Sequence, residues 1–370
     1  MNYFDNSATT PINEKVLDLM IKTQKDVFGN ASSIHQLGRK SKSTIEKARD
    51  QVANAIGANR NQIIFTSGGT ESNNQVLWSR LGQKKNHIIS NTIEHPAITK
   101  VLEHLSTLGL EHDLVSVDTK GTVSIDEINA AITSNTGLIS IMLGNNEVGT
   151  LQPVTSISEL FSQKEILIHT DAVQCLGKLP IDVNHLGVDF LSLSAHKFYG
   201  PKGIGVLYVK NKNTISPFLI GGHQENGLRA GTEDLASIAG LGLAAELMTS
   251  NINNHIKDLY NFETQFKKGL ISFFPEAIFN GNINNKLPGL ISVSFPGFRA
   301  DILMTKLDRA NIAVSSGSAC GSGDIKPSIV LTAMGIDDKT NISTLRFSFG
   351  SSNSSDQIET LLTELQSILH

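Results

Sequence analysis

Between about residues 60 and 210 the chain alternates short β-branched apolar runs with helical stretches of ten or more residues. That rhythm admits few folds. The runs fall at 63–66, 87–90, 112–117, 138–143, 166–169, 189–194 and 205–208, and several are apolar on both faces. A strand buried on both faces must lie between helix layers, so the pattern predicts an α/β fold with a mostly parallel sheet covered by helices. Helix starts between the runs carry their own signals, such as Ser124 followed three residues on by Glu127. Beyond residue 255 the order changes: helical patterns at 234–248 and 254–274 give way to a strand at 290–295 and a helix at 300–311. A strand at 343–349 and a helix led by Asp356 complete the chain. The 370 residues exceed what one small core needs, so two domains are expected. The large one takes residues 13–255, and a smaller α+β one takes 1–12 with 256–370.

Composition removes several classes of function. Lysines and arginines are scattered and the net charge is −4, which makes nucleic acid and anionic membrane poor partners. The start, Met1-Asn2-Tyr3-Phe4-Asp5-Asn6, has neither the basic residues nor the apolar run of a secretory signal, and no stretch is apolar enough to span a bilayer. A cytoplasmic location is expected. Two cysteines, Cys175 and Cys320, are too few for a disulfide framework or a cysteine metal site. Each is either packed or reactive.

In a parallel α/β sheet the loops after the strands' carboxyl ends share one rim, where ligands bind. After 63–66 comes Ser67-Gly68-Gly69-Thr70, a glycine turn feeding a helix. It offers close backbone N–H groups, a hydroxyl and a positive helix end to a phosphate, although such a turn also starts ordinary helices. After 166–169 comes Asp171, either an N-cap or a counter-charge. After 189–194 comes Ala195-His196-Lys197, a lysine set between an apolar strand and an aromatic, glycine-rich turn. His95 follows 87–90, as a helix cap or as a ring lying on a ligand. Lysine, acid and phosphate cup together are the parts of a pyridoxal-phosphate site.

Ordered motifs then run nearly the whole length. They are Asp5-Asn6-Ser7-Ala8-Thr9-Thr10-Pro11, Phe28-Gly29-Asn30, Thr70-Glu71-Ser72-Asn73, Asn145-Asn146-Glu147-Val148-Gly149, His196-Lys197, Arg229-Ala230-Gly231-Thr232, Ser315-Ser316-Gly317-Ser318-Ala319-Cys320 and Arg346-Phe347-Ser348. With these the chain resembles the cysteine desulfurases of the NifS/IscS type, in the class-V aminotransferase group of fold type I pyridoxal-phosphate enzymes.

The resemblance implies that Lys197 is the Schiff-base lysine, Asp171 faces the pyridine nitrogen, Gln174 faces the phenolic oxygen, and His95 stacks on the ring and carries protons. It implies that Gly69, Thr70, Ser194 and His196 hold the phosphate, and that Thr232 reaches the neighbouring subunit's site in a homodimer. Asn145 and Arg346 would hold the carboxylate of L-cysteine, and Cys320 would take its sulfur as a persulfide and pass it to an acceptor for iron-sulfur clusters or transfer-RNA thiolation.

Around Cys320 the residues from 314 to 326 are mostly small, which predicts a mobile loop, and Gly321-Ser322-Gly323-Asp324 departs from the Thr or Ser followed by Ser-Ala of many relatives. Cys175 reads as a packed residue at a helix start. The end at His370 lacks an extension that some relatives use to bind a scaffold. Selenocysteine lyase shares every one of these residues. A class-V aminotransferase or kynureninase-like enzyme has no use for a mobile thiol, and a non-catalytic binder of sulfur carriers has no use for Lys197.

Overall fold

The computed structural model describes residues 1–316 and 326–370; Cys320 and the Gly321 to Asp324 turn, where the mobile reactive loop was expected, lie outside the described residues. The chain opens with a short strand β1 (Asn2–Tyr3) and then builds its main sheet from β2 (Ile63–Thr66), β3 (His87–Asn91), β4 (Glu111–Val115), β5 (Thr136–Ser140), β6 (Leu167–Asp171), β7 (Phe190–Ser194) and β8 (Gly205–Val209). The order across the sheet is β2-β8-β7-β6-β5-β3-β4, and only β8 runs against the others. Five of the seven, β2, β3, β5, β7 and β8, are buried at every residue, as strands between two helix layers must be. The expected α/β architecture is the one observed.

Two expectations shift. The apolar run 138–143 outlasts β5 because Ile141 and Leu143 leave the ladder yet still donate backbone N–H to His169 O (3.0 Å) and Asp171 O (2.9 Å). No helix starts at Cys175. Gly177, at φ +82°, turns the chain there, and residues 172–178 form successive turns instead.

A second sheet has the antiparallel order β12-β10-β9, from β9 (Ile278–Asn280), β10 (Leu290–Ser294) and β12 (Thr344–Ser348), while β11 (Ile312–Ala313) pairs in parallel with β1. Helices Ile252–Phe273, Ala300–Arg309 and Ser355–Leu369 cover it. Its core is aromatic: Phe266 and Phe347 lie 4.7 Å apart by ring centroid, and Phe4 meets Phe349 edge-on at 5.8 Å. The buried Phe4 belongs to that core, so the N-terminal segment packs with the C-terminal third of the chain. Among the described residues no single helix is long and apolar enough to cross a membrane.

Candidate active site

Because all strands but β8 point one way, the loops after β2, β3, β5, β6 and β7 open on one rim. The turn after β2 is locked from below, with Thr66 Oγ1 and Ser72 Oγ sharing a hydrogen bond of 2.8 Å. Gly68 then takes φ +152°, open to glycine, and the helix Gly69–Trp78 begins. A Cβ on Gly69 would come within 2.6 Å of Val173 Cγ2, so glycine alone lets this helix end sit against the loop after β6. Ser194, 5% exposed at the end of β7, and the exposed Thr70 border the same terminus. The first-turn N–H groups of a helix have no partner inside the helix, and their dipole favours an anion. Glu71 is turned away from that position. Its carboxylate accepts from Ser67 N (2.7 Å) and Arg229 Nε (3.0 Å), and although burial pushes it up, these partners bring its pKa below the usual range. His196 shares a hydrogen bond of 3.1 Å with Thr9 Oγ1, and burial lowers its pKa to about 4, leaving it neutral.

Asp171 is the last residue of β6, and with turns following it caps no helix. Its Oδ2 accepts from Asn73 Nδ2 (2.7 Å) and its Oδ1 from Val173 N (2.9 Å). Lys197 closes the turn Ala195–Lys197 and donates from Nζ to the carbonyls of Ser7 (2.7 Å) and Ala8 (2.8 Å). Burial, then the charge of Arg346, lowers its pKa to about 8, so about a tenth of the amine is unprotonated at pH 7, far more than for a free lysine. Gln174 Nε2 donates to the same Ser7 carbonyl at 2.9 Å. His95 does cap a helix, Pro96–Ser106, its Nδ1 accepting from Ala97 N at 3.1 Å. Burial lowers its pKa, Asp171 opposes this and Lys197 adds to it, so the three groups lie within electrostatic reach of one another. The cap assigns the neutral tautomer with hydrogen on Nε2.

Arg346 projects from β12 and donates from Nη1 to Asn146 O (2.9 Å) and from Nη2 to Asp5 Oδ1 (2.7 Å). Its Nε is buried without a hydrogen-bond partner among the described residues. Asn145 is fully buried and builds the turn beside it. Its Oδ1 accepts from Glu147 N (2.8 Å) and Val148 N (3.0 Å), and its Nδ2 donates to Ile93 O (3.1 Å) and Met142 Sδ (3.4 Å). The structure therefore gives Asn145 a full set of internal partners. Thr232 is exposed and lines a separate surface cavity of about 350 Å³ with Phe28, Asn30 and Asp234.

Sequence reasoning assigned no role to four further groups. Asn73 orients Asp171, and Asp5 pairs with Arg346; both stood inside recognised motifs. Glu94 Oε1 accepts from Asn91 Nδ2 and Met142 N, both at 2.6 Å, and burial pushes its pKa well up. Lys178 donates to Gln174 Oε1 at 3.2 Å, and burial, then Lys197, lowers its pKa to about 7. Their adjacency to His95 and Gln174 was the available signal. Cys175 is fully buried and its thiol is pushed up by burial, the state of a packed residue.

These residues fit pyridoxal phosphate. The Gly69 cradle that a Cβ would fill and a free helix end suit the phosphate, a half-buried lysine of lowered pKa suits the aldehyde, and a carboxylate at a strand end suits a ring cation. The buried Thr170 Oγ1 and Asn73 Oδ1, beside Asp171, have no hydrogen-bond partner among the described residues.

The class-V aminotransferase family profile matches residues 2–361. Cysteine desulfurase IscS of Dictyoglomus turgidum is 40% identical over 99% of this chain and 94% of its own length, and that of Methanosarcina thermophila is 42% identical over 99% and 91%. A solved NifS-like protein superimposes with TM-score 0.94 at 35% identity, covering 100% of this chain and 99% of its own. SspA, solved in complex with cysteine, gives 0.82 at 34%, covering 96% of this chain and 100% of its own. On these matches the chain belongs to the class-V aminotransferase family and, within it, to the cysteine desulfurases.

Proposed function

We propose that this desulfurase removes sulfur from L-cysteine with pyridoxal phosphate held on Lys197, and carries it as a persulfide on Cys320. The observation that carries the reading is the convergence of Lys197, Asp171 and His95 on one rim, where Asp171 and Lys197 both act on His95 and Asp171 also acts on Lys197. The complex of SspA with cysteine supports the substrate. When bound, the cofactor supplies an electron sink for the charge released at the substrate's α-carbon.

The protein's own groups do the rest. The amides of the helix Gly69–Trp78 with Thr70, Ser194 and His196 would hold the phosphate, Asp171 would keep the ring nitrogen protonated, and Gln174 would serve the phenolic oxygen. Arg346 takes the substrate carboxylate, with Asn145 beside it as part of the pocket wall. Lys197, whose pKa of about 8 lets it cycle between amine and ammonium, removes the α-proton at Nζ. His95 presents Nε2–H; to carry a second proton its Nδ1 must release the Ala97 amide. The Cys320 thiolate attacks the substrate sulfur. The S–S bond forms as the C–S bond breaks, the electron pair stays with the carbon, and protons complete L-alanine. One thiol and L-cysteine become one persulfide and L-alanine without an external oxidant.

The wider setting completes the proposal: a homodimer in which Thr232 completes the partner's phosphate site, a small domain of residues 1–12 and 256–370 that presents the thiol, a cytoplasmic location, and a sulfur-acceptor protein for cluster assembly or transfer-RNA thiolation. The test gives the purified protein L-cysteine and follows L-alanine and the persulfide by mass. Cys320→Ala keeps the yellow cofactor band but forms no persulfide and loses alanine production by more than about a hundredfold. Lys197→Ala loses the lysine-linked band. Undiminished alanine from Cys320→Ala would overturn the mechanism.

A further inference from the structure

The carboxylate site contains an anion of its own. Asp5 stands on Arg346 at 2.7 Å, and it is the only residue in a salt bridge with that guanidinium among the described residues. The backbone on both sides of Asp5 is pinned to β12. Ser348 N donates to Phe4 O (2.7 Å), Asn6 N donates to Ser348 O (3.3 Å), Ser7 N donates to Ser348 Oγ (2.8 Å), and the Phe4 ring is buried in the small core. The carboxylate is therefore a fixed neighbour rather than a passing one. Its side chain is 20% exposed and that of Arg346 only 6%, so water screens the pair weakly.

A guanidinium has five N–H donors, and here one binds Asp5, one binds Asn146 O, and the buried Nε–H has no partner among the described residues. Donors remain for a second carboxylate, but its charge then meets that of Asp5 across one cation.

We propose that Asp5 tunes the affinity of the carboxylate site: it holds the charge of Arg346 in check, so that any carboxylate ligand binds more weakly there and the rest of an amino acid has to add its own contacts. The proposal rests on Arg346 as the substrate carboxylate site. It explains how a buried arginine can receive a small amino acid and still release the L-alanine product, which bears the same carboxylate. Asn at position 5 keeps an oxygen for Nη2 and removes only the charge, which separates repulsion from positioning.

The test is calorimetric titration of the holoenzyme with L-alanine, propionate and ethylamine at fixed ionic strength. In Asp5→Asn the Kd values for L-alanine and propionate fall about tenfold, the scale of one close charge pair with partial screening, and that for ethylamine stays unchanged. Asp5→Ser, too short to reach Arg346, moves them the same way, and melting curves show that both variants are folded. Unchanged or weaker binding of L-alanine, or an equal gain for ethylamine, overturns the proposal. Arg346→Gln runs alongside. If it binds L-alanine and propionate as the parent does, the carboxylate role of Arg346 is wrong. If it binds them weakly while Asp5→Asn gains nothing, only the role of Asp5 is wrong.

Discussion

The rim of the large sheet and the face of the small sheet supply the site in opposite ways. At the rim, Gly69, Asp171 and Lys197 each stand at or just after the end of a strand, so local backbone places all three, and distant groups finish the side chains: Asn73, 98 positions away, orients Asp171, and Ser7 and Ala8, 190 and 189 positions away, hold Lys197. On the small-sheet side one residue, Arg346, is aimed by Asp5, 341 positions away, and by Asn146, 200 positions away. The rim takes its backbone positions from local strand ends and turns stacked in a sheet, with long-range contacts only finishing its side chains. The small side depends on long-range contacts, and therefore on the stability of its core.

Three perturbations would sharpen or break that contrast. The largest effect is expected at Phe347, fully buried beside Phe266 in the same strand as Arg346. Phe347→Ala should cost about 3 to 5 kcal/mol of stability in the small core, read by chemical denaturation. Cofactor retention below the transition should survive; its loss would show that the two regions are not separable.

A smaller effect follows at the rim. Gly69→Ala puts a methyl 2.6 Å from Val173 Cγ2 and should weaken cofactor binding about tenfold, read by dialysis and absorbance. Adding Val173→Ala should restore most of it. Failure of that rescue would mean that the cradle is set by something other than this contact.

Near neutral pH the smallest effect concerns His169, fully buried in β6 between Ser140 Oγ (2.8 Å) and Ser192 Oγ (3.1 Å), with its pKa lowered by burial to about 3. The unfolded chain binds this proton near pH 6.5, so the contribution is full above that pH and is lost as pH falls toward 3. The slope is at most about 1.4 kcal/mol per pH unit. His169→Asn should flatten the acid limb of a stability profile, measured by chemical denaturation at each pH, by up to that amount. An unchanged limb would place acid sensitivity elsewhere, for instance in the small sheet.

The same contrast explains what could be read in advance. The strands at 63–66 and 205–208 were legible almost to the residue, because burial on both faces forces a continuous apolar run. The run at 138–143 overshot, because an apolar residue that leaves the ladder at the rim looks the same in sequence as one inside it. Cys175 was assigned to a helix start that Gly177 turns away. At the site, Lys197, Asp171 and Gly69 carried local signals of strand end and glycine turn. Asp5 lay inside a quoted motif without a role, since nothing near position 5 indicates that its partner is at position 346.

By itself, then, the sequence determined the α/β class, the large sheet's strands and the identity of the chemistry-bearing residues, because side-chain period and turn propensity act over a few residues. Tertiary structure alone decided the charge states and partners. Lys197 rests on the carbonyls of Ser7 and Ala8 with its pKa near 8, His95 is held as a neutral tautomer by its own helix cap, and Arg346 meets Asp5. Those depend on burial and on distances between segments far apart in the chain, and desolvation and Coulomb energy are functions of space rather than of sequence order.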